Sequence, residues 1–194
     1  MPKIFKTKKL FIIVLTMLIL YTAALTACGG DPNKGREAFI PDGRTYRVML
    51  KPEDGWIMVR VSENADTLAL QNPEASVLVI IEGYKKTNAA DVNVTDIDSL
   101  IKFYKLFESA KLVYENEDNT VGELEAIAQK DMKNTQITAG KRQKISIGAD
   151  LISEYIYLET AENYFVVSYG IQNENYTDAV EKAVNEVIFN IQTD

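Results

Sequence analysis

The chain of 194 residues contains no histidine, one cysteine and one tryptophan. Without histidine, neither a Ser-His-Asp nor a Cys-His catalytic set can form, and the commonest general base and metal ligand is missing. Gly29 and Gly30 do not lie between a strand and a helix, so they form no phosphate-binding loop. Ser99 and Lys102 begin a predicted helix and suit its polar face better than a Ser-Lys catalytic pair. These absences predict that the protein is not an enzyme and uses neither a cofactor nor a metal.

The one cysteine, Cys28, ends an N-terminal segment with three distinct parts. Four lysines come first, at Lys3, Lys6, Lys8 and Lys9. The apolar stretch from Leu10 to Leu20 then has the length of the hydrophobic region in an export signal. Small residues follow, and positions 25–28 read Leu-Thr-Ala-Cys. This order resembles a bacterial lipoprotein signal peptide that ends in a lipobox.

The resemblance implies cleavage between Ala27 and Cys28, with residues 1–27 removed as the signal peptide. Cys28 would then carry diacylglycerol on its sulfur, and two acyl chains suffice for stable anchoring. The protein would be held on the extracytoplasmic face of the cell membrane. The alternative is an uncleaved transmembrane anchor, because the uncharged run from Leu10 to Ala27 has 18 residues and could just span a bilayer.

Acidic residues dominate the rest of the chain. The leader holds four of the 21 Lys and Arg residues and none of the 28 Asp and Glu residues. After cleavage, the chain therefore has 17 basic and 28 acidic residues, which is a formal charge of −11. Such a charge argues against nucleic acid as a partner. No cysteine follows Cys28, so no disulfide can form within the folded part.

Composition also divides the mature chain into two parts. Residues 28–43 contain four glycines and two prolines, and are predicted to form a flexible tether behind the lipidated cysteine. Residues 44–194 have a length that suits one domain with a single core. We expect that domain to be a monomer.

Short β-rich segments predict a sheet. Strands are expected over residues 45–50, 56–61, 67–70 and 76–84. The apolar run at 77–81 (VLVII) is typical of a central strand that is covered on both faces. Near the C-terminus, residues 154–159 and 164–171 flank a short polar loop and predict a hairpin.

Apolar residues at helical spacing predict three helices. The first runs from Thr95, a good N-cap, to Phe107. The second covers about 120–133 and the third about 176–189. Strands, two central helices, a hairpin and a closing helix describe an α+β domain with a mostly antiparallel sheet packed against helices.

Two short motifs point to a family. A strand is followed by the turn at 52–56 (PEDGW), and the second hairpin strand ends in Ser168-Tyr169-Gly170 before a polar loop and the terminal helix. The arrangement resembles the PsbP/Mog1/DcrB-like superfamily, whose members include small bacterial lipoproteins. The resemblance implies an α/β/α sandwich that binds other proteins or assists assembly, without shared catalytic residues.

Two sets of residues are candidates for binding. Strand alternation places Tyr155 and Tyr157 on one face of the hairpin, where exposed rings would form a surface for protein recognition. The alternative is that these rings lie under a helix or pair across strands and stabilise the sheet. The acidic stretch from Glu115 to Asn119 could coordinate calcium, but it lacks the ligand spacing of an EF-hand and is expected to be a solvated loop.

The sequence therefore predicts a membrane-anchored extracytoplasmic lipoprotein that acts as a non-catalytic protein-binding or assembly module. Its partners would be the membrane, through the diacylglyceryl cysteine, and another envelope protein. The alternative is a small-ligand-binding receptor lipoprotein that works with a transporter or sensor, which would need a pocket of about 300 Å³ or more.

Overall fold

Ten strands and four helices make up the described part of the computed structural model, which covers residues 33–59 and 66–193. The chain divides into two units, and Arg36–Asp194 contains all of these elements. The fold is α+β, as the sequence predicts.

A small antiparallel sheet joins the two ends of this unit. It consists of β1 (Glu37–Phe39), β2 (Arg47–Leu50) and β10 (Ile191–Gln192), with β2 in the middle. Val48 and Leu50 of β2 are fully buried. The first strand lies inside the segment 28–43 that the sequence assigns to a tether. That boundary is therefore corrected, because residues 37–39 pair with β2 and belong to the folded part.

Seven antiparallel strands form the main sheet. They are β3 (Ile57–Val59), β4 (Thr67–Asn72), β5 (Val77–Lys85), β6 (Asn119–Ala126), β7 (Ala139–Ile147), β8 (Leu151–Glu159) and β9 (Asn163–Gln172). Their order across the sheet is β3-β4-β5-β9-β8-β7-β6, so β3 and β6 are the edges. The predicted hairpin is confirmed as β8 and β9, and its turn is closed by the Asn163 N–H, which donates to Oγ1 of Thr160 at 3.0 Å.

Four helices connect and cover the sheet: α1 (Lys86–Ala90), α2 (Ile97–Tyr104), α3 (Glu108–Tyr114) and α4 (Asp178–Phe189). The N-cap of α2 is Asp96, not the predicted Thr95. The Asp96 carboxylate accepts the Ser99 N–H at 2.7 Å, and Oγ of Ser99 accepts the Asp96 N–H at 3.0 Å. Ser99 therefore serves to cap a helix.

Helices lie on both faces of the main sheet and make an α/β/α sandwich. On one face, α4 and the small sheet cover the aliphatic row of β8, which includes Ile156 and Leu158. The predicted stripe of α4, from Val180 to Ile188, points into this core. On the other face, α2 and α3 cover the tyrosine row of the same strand. Because both faces are covered, both rows of β8 are buried.

The helix predicted over 120–133 is wrong, since residues 119–126 form the edge strand β6. A β-bulge between Val121 and Leu124 explains the error. Val121 lies opposite Ile145 and Leu124 lies opposite Gln143, so the extra residue brings both apolar side chains to the same face. A spacing of three then imitates a helix. At Gly122, a Cβ would lie 2.9 Å from the backbone oxygen of Lys144, so the bulge requires glycine.

Candidate functional site

Tyr155 and Tyr157 do not form an exposed face. Their side chains are 8% and 0% exposed, beneath α2 and α3. The ring centroid of Tyr155 lies 6.0 Å from that of Tyr104 in α2 and 5.4 Å from that of Tyr114 in α3. The candidate binding surface at Tyr155 and Tyr157 is therefore corrected: these rings are part of the core, because helices cover that side of the sheet.

Four tyrosine hydroxyls in or beside this aromatic cluster have hydrogen-bond partners there. The Tyr114 and Tyr157 hydroxyls lie 2.9 Å apart and share a hydrogen bond. The carboxylate of Glu82 accepts the Tyr84 hydroxyl at 2.7 Å and the Tyr104 hydroxyl at 3.1 Å. These four hydroxyls therefore have internal partners, which suits a structural role.

Alkaline solution should unfold the protein through this cluster. Burial raises the pKa of Tyr114 from the ordinary 10.0 to about 12, and burial also raises the pKa of Tyr104 and Tyr157. The folded state holds these protons more tightly than the unfolded chain, so stability is intact below pH 10.0 and falls as the pH rises toward 12. Tyrosinate absorbance and near-ultraviolet circular dichroism should change together in that window. Ionisation of all tyrosines near pH 10.0 without loss of the dichroism signal would contradict this.

A buried carboxylate occupies the opposite face of the sheet. Glu154 of β8 is 1% exposed and accepts a short hydrogen bond from the Tyr169 hydroxyl. Nε of Arg142 lies 3.5 Å from Oε1 of Glu154 but is not aligned for a hydrogen bond. The other guanidinium nitrogens donate to Glu181 at 3.1 Å and to Asn185 at 2.8 Å. Arg142 therefore connects the sheet to α4.

An open groove of about 1040 Å³ lies beside this network, between α4 and the segment that follows β6. Charged side chains of both signs line it, including Arg36, Lys133, Arg142, Lys182, Glu125, Asp131 and Glu186. Most ligand pockets are lined mainly by apolar residues, and this groove differs from them. Because its lining carries charges of both signs, it is suited to a polar ligand that also carries both.

The edge strand β6 is exposed along nearly all of its length. Val121 and Leu124 are 39% and 38% exposed and lie on the face that α2 and α3 cover. Residues 115–126 contain five acidic side chains and no basic one. The strand therefore offers apolar contacts next to negative charge at an open side of the sheet.

The acidic stretch from Glu115 to Asn119 forms the turn between α3 and β6. Oδ1 of Asn116 accepts the Asp118 N–H at 3.0 Å, and Nδ2 of Asn119 donates to the Val113 carbonyl at 2.8 Å. Within residues 33–59 and 66–193, no group of three or more His, Cys, Asp or Glu side chains could hold a metal ion. The side chains of Asn116 and Asn119 therefore shape the turn.

A second apolar surface lies near the other sheet edge. Ile40, Ile57 and Met58 are 43%, 48% and 58% exposed. They line one depression of about 430 Å³ together with β1 and Trp56. Residues of β1 and of the start of β3 both line this depression.

Sequence reasoning missed both exposed edges. The position of a strand in a sheet depends on which strands pair, and no local pattern states that. One available signal was the pair of charges that flank Leu124, at Glu123 and Glu125, because charged side chains commonly protect edge strands.

The predicted lipidation site lies outside the described residues. Ala27 and Cys28 both precede residue 33, so cleavage and lipidation stay predictions. In the part of the chain that is described, no helix is long and apolar enough to span a bilayer.

The sheet order, the two helical layers and the closing α4 define a PsbP-like fold. A solution structure of cyanobacterial PsbP (CyanoP) from Synechocystis sp. PCC 6803 is similar, with a TM-score of 0.50 and 12% sequence identity. The match covers 86% of this chain and 97% of that protein. At this identity, the similarity establishes the fold.

A crystal structure from Bacteroides thetaiotaomicron is also similar, with a TM-score of 0.47 and 15% identity over 82% of this chain. The match spans 49% of that protein, about half of its length. No family model matches the chain, and no curated protein matches it.

Proposed function

We propose that the protein is a membrane-anchored extracytoplasmic lipoprotein that acts as a non-catalytic protein-binding or assembly module for an envelope partner. The lipobox-like sequence at 25–28 supports the anchor. The observation that carries the binding role is the exposed edge strand β6. A PsbP-like fold is compatible with this role.

A sheet edge can bind an extended segment by adding it as a further strand. β6 pairs with β7 on one side and with no other strand in the described part of the chain. Its eight residues are enough for a strand of ordinary length. Val121 and Leu124 would pack against alternate side chains of the added segment.

The charge of this edge favours a basic partner. Five carboxylates lie at residues 115–126, namely Glu115, Glu117, Asp118, Glu123 and Glu125, and none makes an ion pair with another described residue. A partner segment with Lys or Arg would complement them. A second copy of this chain would bring like charges together, which agrees with the expected monomer.

Site-specific crosslinking in native membranes tests this proposal. A photo-crosslinking residue at Leu124 should give one discrete adduct, whereas the same residue at Leu112 on α3, which is 75% exposed, should not. With the photo-crosslinking residue placed at Glu125 instead, replacing Val121 and Leu124 with Lys should reduce the adduct by about tenfold or more, as expected when apolar anchors at an interface are lost. The melting temperature should stay nearly unchanged because both side chains are exposed.

Equal adducts at Leu124 and Leu112, or none at either, would reject β6 as the binding surface. A Cys28→Ala variant tests the anchor separately. This variant should lose metabolic lipid labelling and move from the detergent phase to the aqueous phase. If the wild-type chain carries no lipid label and the two chains partition alike, the transmembrane alternative is favoured.

A receptor for a small ligand is the second candidate, and the groove of about 1040 Å³ beside α4 favours it. Its lining carries charges of both signs, which would pair with the charges of a polar or zwitterionic molecule. A small molecule that copurifies in native mass spectrometry, and is lost in a Lys182→Glu variant, would favour this function over a protein-binding role.

A further inference from the structure

We propose that the folded unit rests on the lipid surface through an apolar patch beside its first strand. This membrane patch consists of Ile40, Ile57 and Met58. The proposal rests on the lipid anchor at Cys28 in the function proposed above, and adds to it a specific contact between the protein and the bilayer.

The patch has the composition of a surface that binds at a bilayer interface. Its three apolar residues are each exposed by more than two fifths, and all three line one depression of about 430 Å³ together with Glu37. Ile40 also lines the adjoining depression, together with two cations and one carboxylate, Arg44, Arg47 and Asp42. Apolar side chains next to cations are what an anionic lipid interface binds.

The length of the chain keeps the patch close to the membrane. The strand β1 begins at Glu37, nine residues after Cys28. Nine extended residues span at most about 30 Å, so a lipid on Cys28 holds β1 within that distance of the bilayer. At such a short tether, the effective concentration of lipid is high, and a weak patch is enough to orient the unit.

The distribution of charge favours the same orientation. Residues 33–58 contain five basic and four acidic side chains, whereas residues 59–194 contain 12 basic and 23 acidic ones. The excess negative charge of the mature chain therefore comes from residues that follow the patch in the sequence. An anionic leaflet repels those carboxylates, but it does not repel residues 33–58, whose charges nearly cancel.

The only tryptophan of the chain, Trp56, lines the same depression and reports on it without a label. The mature lipidated protein, which begins at Cys28, is reconstituted into vesicles of phosphatidylglycerol and phosphatidylcholine, with or without brominated acyl chains. Brominated lipid should reduce the Trp56 emission of the wild type. The loss should disappear in an Ile57→Ser, Met58→Ser variant and persist in a matched Leu106→Ser, Leu112→Ser variant.

A second measurement keeps Ile40 and Ile57 and replaces only Met58 of the patch. With Cys28 blocked by lipid, a Met58→Cys substitution supplies the one reactive thiol for an environment-sensitive dye, and Leu112→Cys supplies the control. On vesicles, the emission of the dye at position 58 should shift to the blue, and that at position 112 should not. Equal shifts at both positions, or a shift at neither, would overturn the proposal.

The lipid on Cys28 separates failure of this proposal from failure of the proposed function. If Cys28 carries lipid but Trp56 is not quenched and the dye at position 58 does not shift, the anchor stands and the patch is rejected. If Cys28 instead reacts with a thiol reagent in the wild type, the anchor itself is absent.

Discussion

A variant with alanine at both Tyr155 and Tyr157 should melt about 15 °C below the wild type. In a domain of this size, each kcal/mol of unfolding free energy that is lost lowers the melting temperature by about 2–4 °C. Replacing one buried aromatic side chain costs about 3–5 kcal/mol. The two rings share neighbours in α2 and α3, so the two costs do not simply add. Thermal denaturation followed by circular dichroism measures the effect.

The matched control is a variant with phenylalanine at both positions. It keeps the rings and loses the hydrogen bond between Tyr157 and Tyr114, which costs only about 1 kcal/mol. An alanine variant that melts within a few degrees of the wild type would show that the helices do not cover this row. Tyr155 and Tyr157 would then again be candidates for an exposed binding surface.

Replacing Glu154 with alanine should cost about 3 kcal/mol, because removal of one member of a buried ion pair leaves the other uncompensated. Arg142 would lose the carboxylate 3.5 Å from its Nε, and the Tyr169 hydroxyl would lose its acceptor. Arg142 would keep Glu181 and Asn185, which limits the loss. The melting temperature should fall by about 6–12 °C.

Two further variants identify the source of this loss. Glu154→Gln keeps an acceptor for Tyr169 and should lose less stability than Glu154→Ala. A double variant, Arg142→Met with Glu154→Leu, removes both charges and should recover part of the stability that Glu154→Ala loses. If Glu154→Ala melts like the wild type, the buried carboxylate does not support the contact between the sheet and α4.

Local patterns predict those elements whose residues follow one uninterrupted period. The run at 77–81 predicts β5, and the stripe from Val180 to Ile188 predicts α4. At β6 the bulge breaks the period of two, so Val121 and Leu124 imitate a helix although they belong to a strand. A sequence pattern fails where the backbone itself changes register.

The candidate sites depend on tertiary structure to a greater extent. Alternation correctly places Tyr155 and Tyr157 on one face, but it does not say that α2 and α3 cover that face. The exposed edge at Leu124 and the patch at Met58 depend on the order of strands in the sheet. The role of Cys28, in contrast, is predicted entirely from linear sequence, because a signal peptide is recognised before the chain folds.

The order of strands in the main sheet also has a consequence for the rate of folding. Neighbouring strands from β6 to β9 follow one another along the chain, so this meander can form through local contacts. β5 pairs with β9 only after the chain between them, with α1 to α3 and β6 to β8, has closed into a loop. Closing so long a loop costs entropy before any contact compensates it. We therefore expect the meander to form first, and the pairing of β5 with β9 to limit the rate, as in other proteins rich in long-range strand contacts.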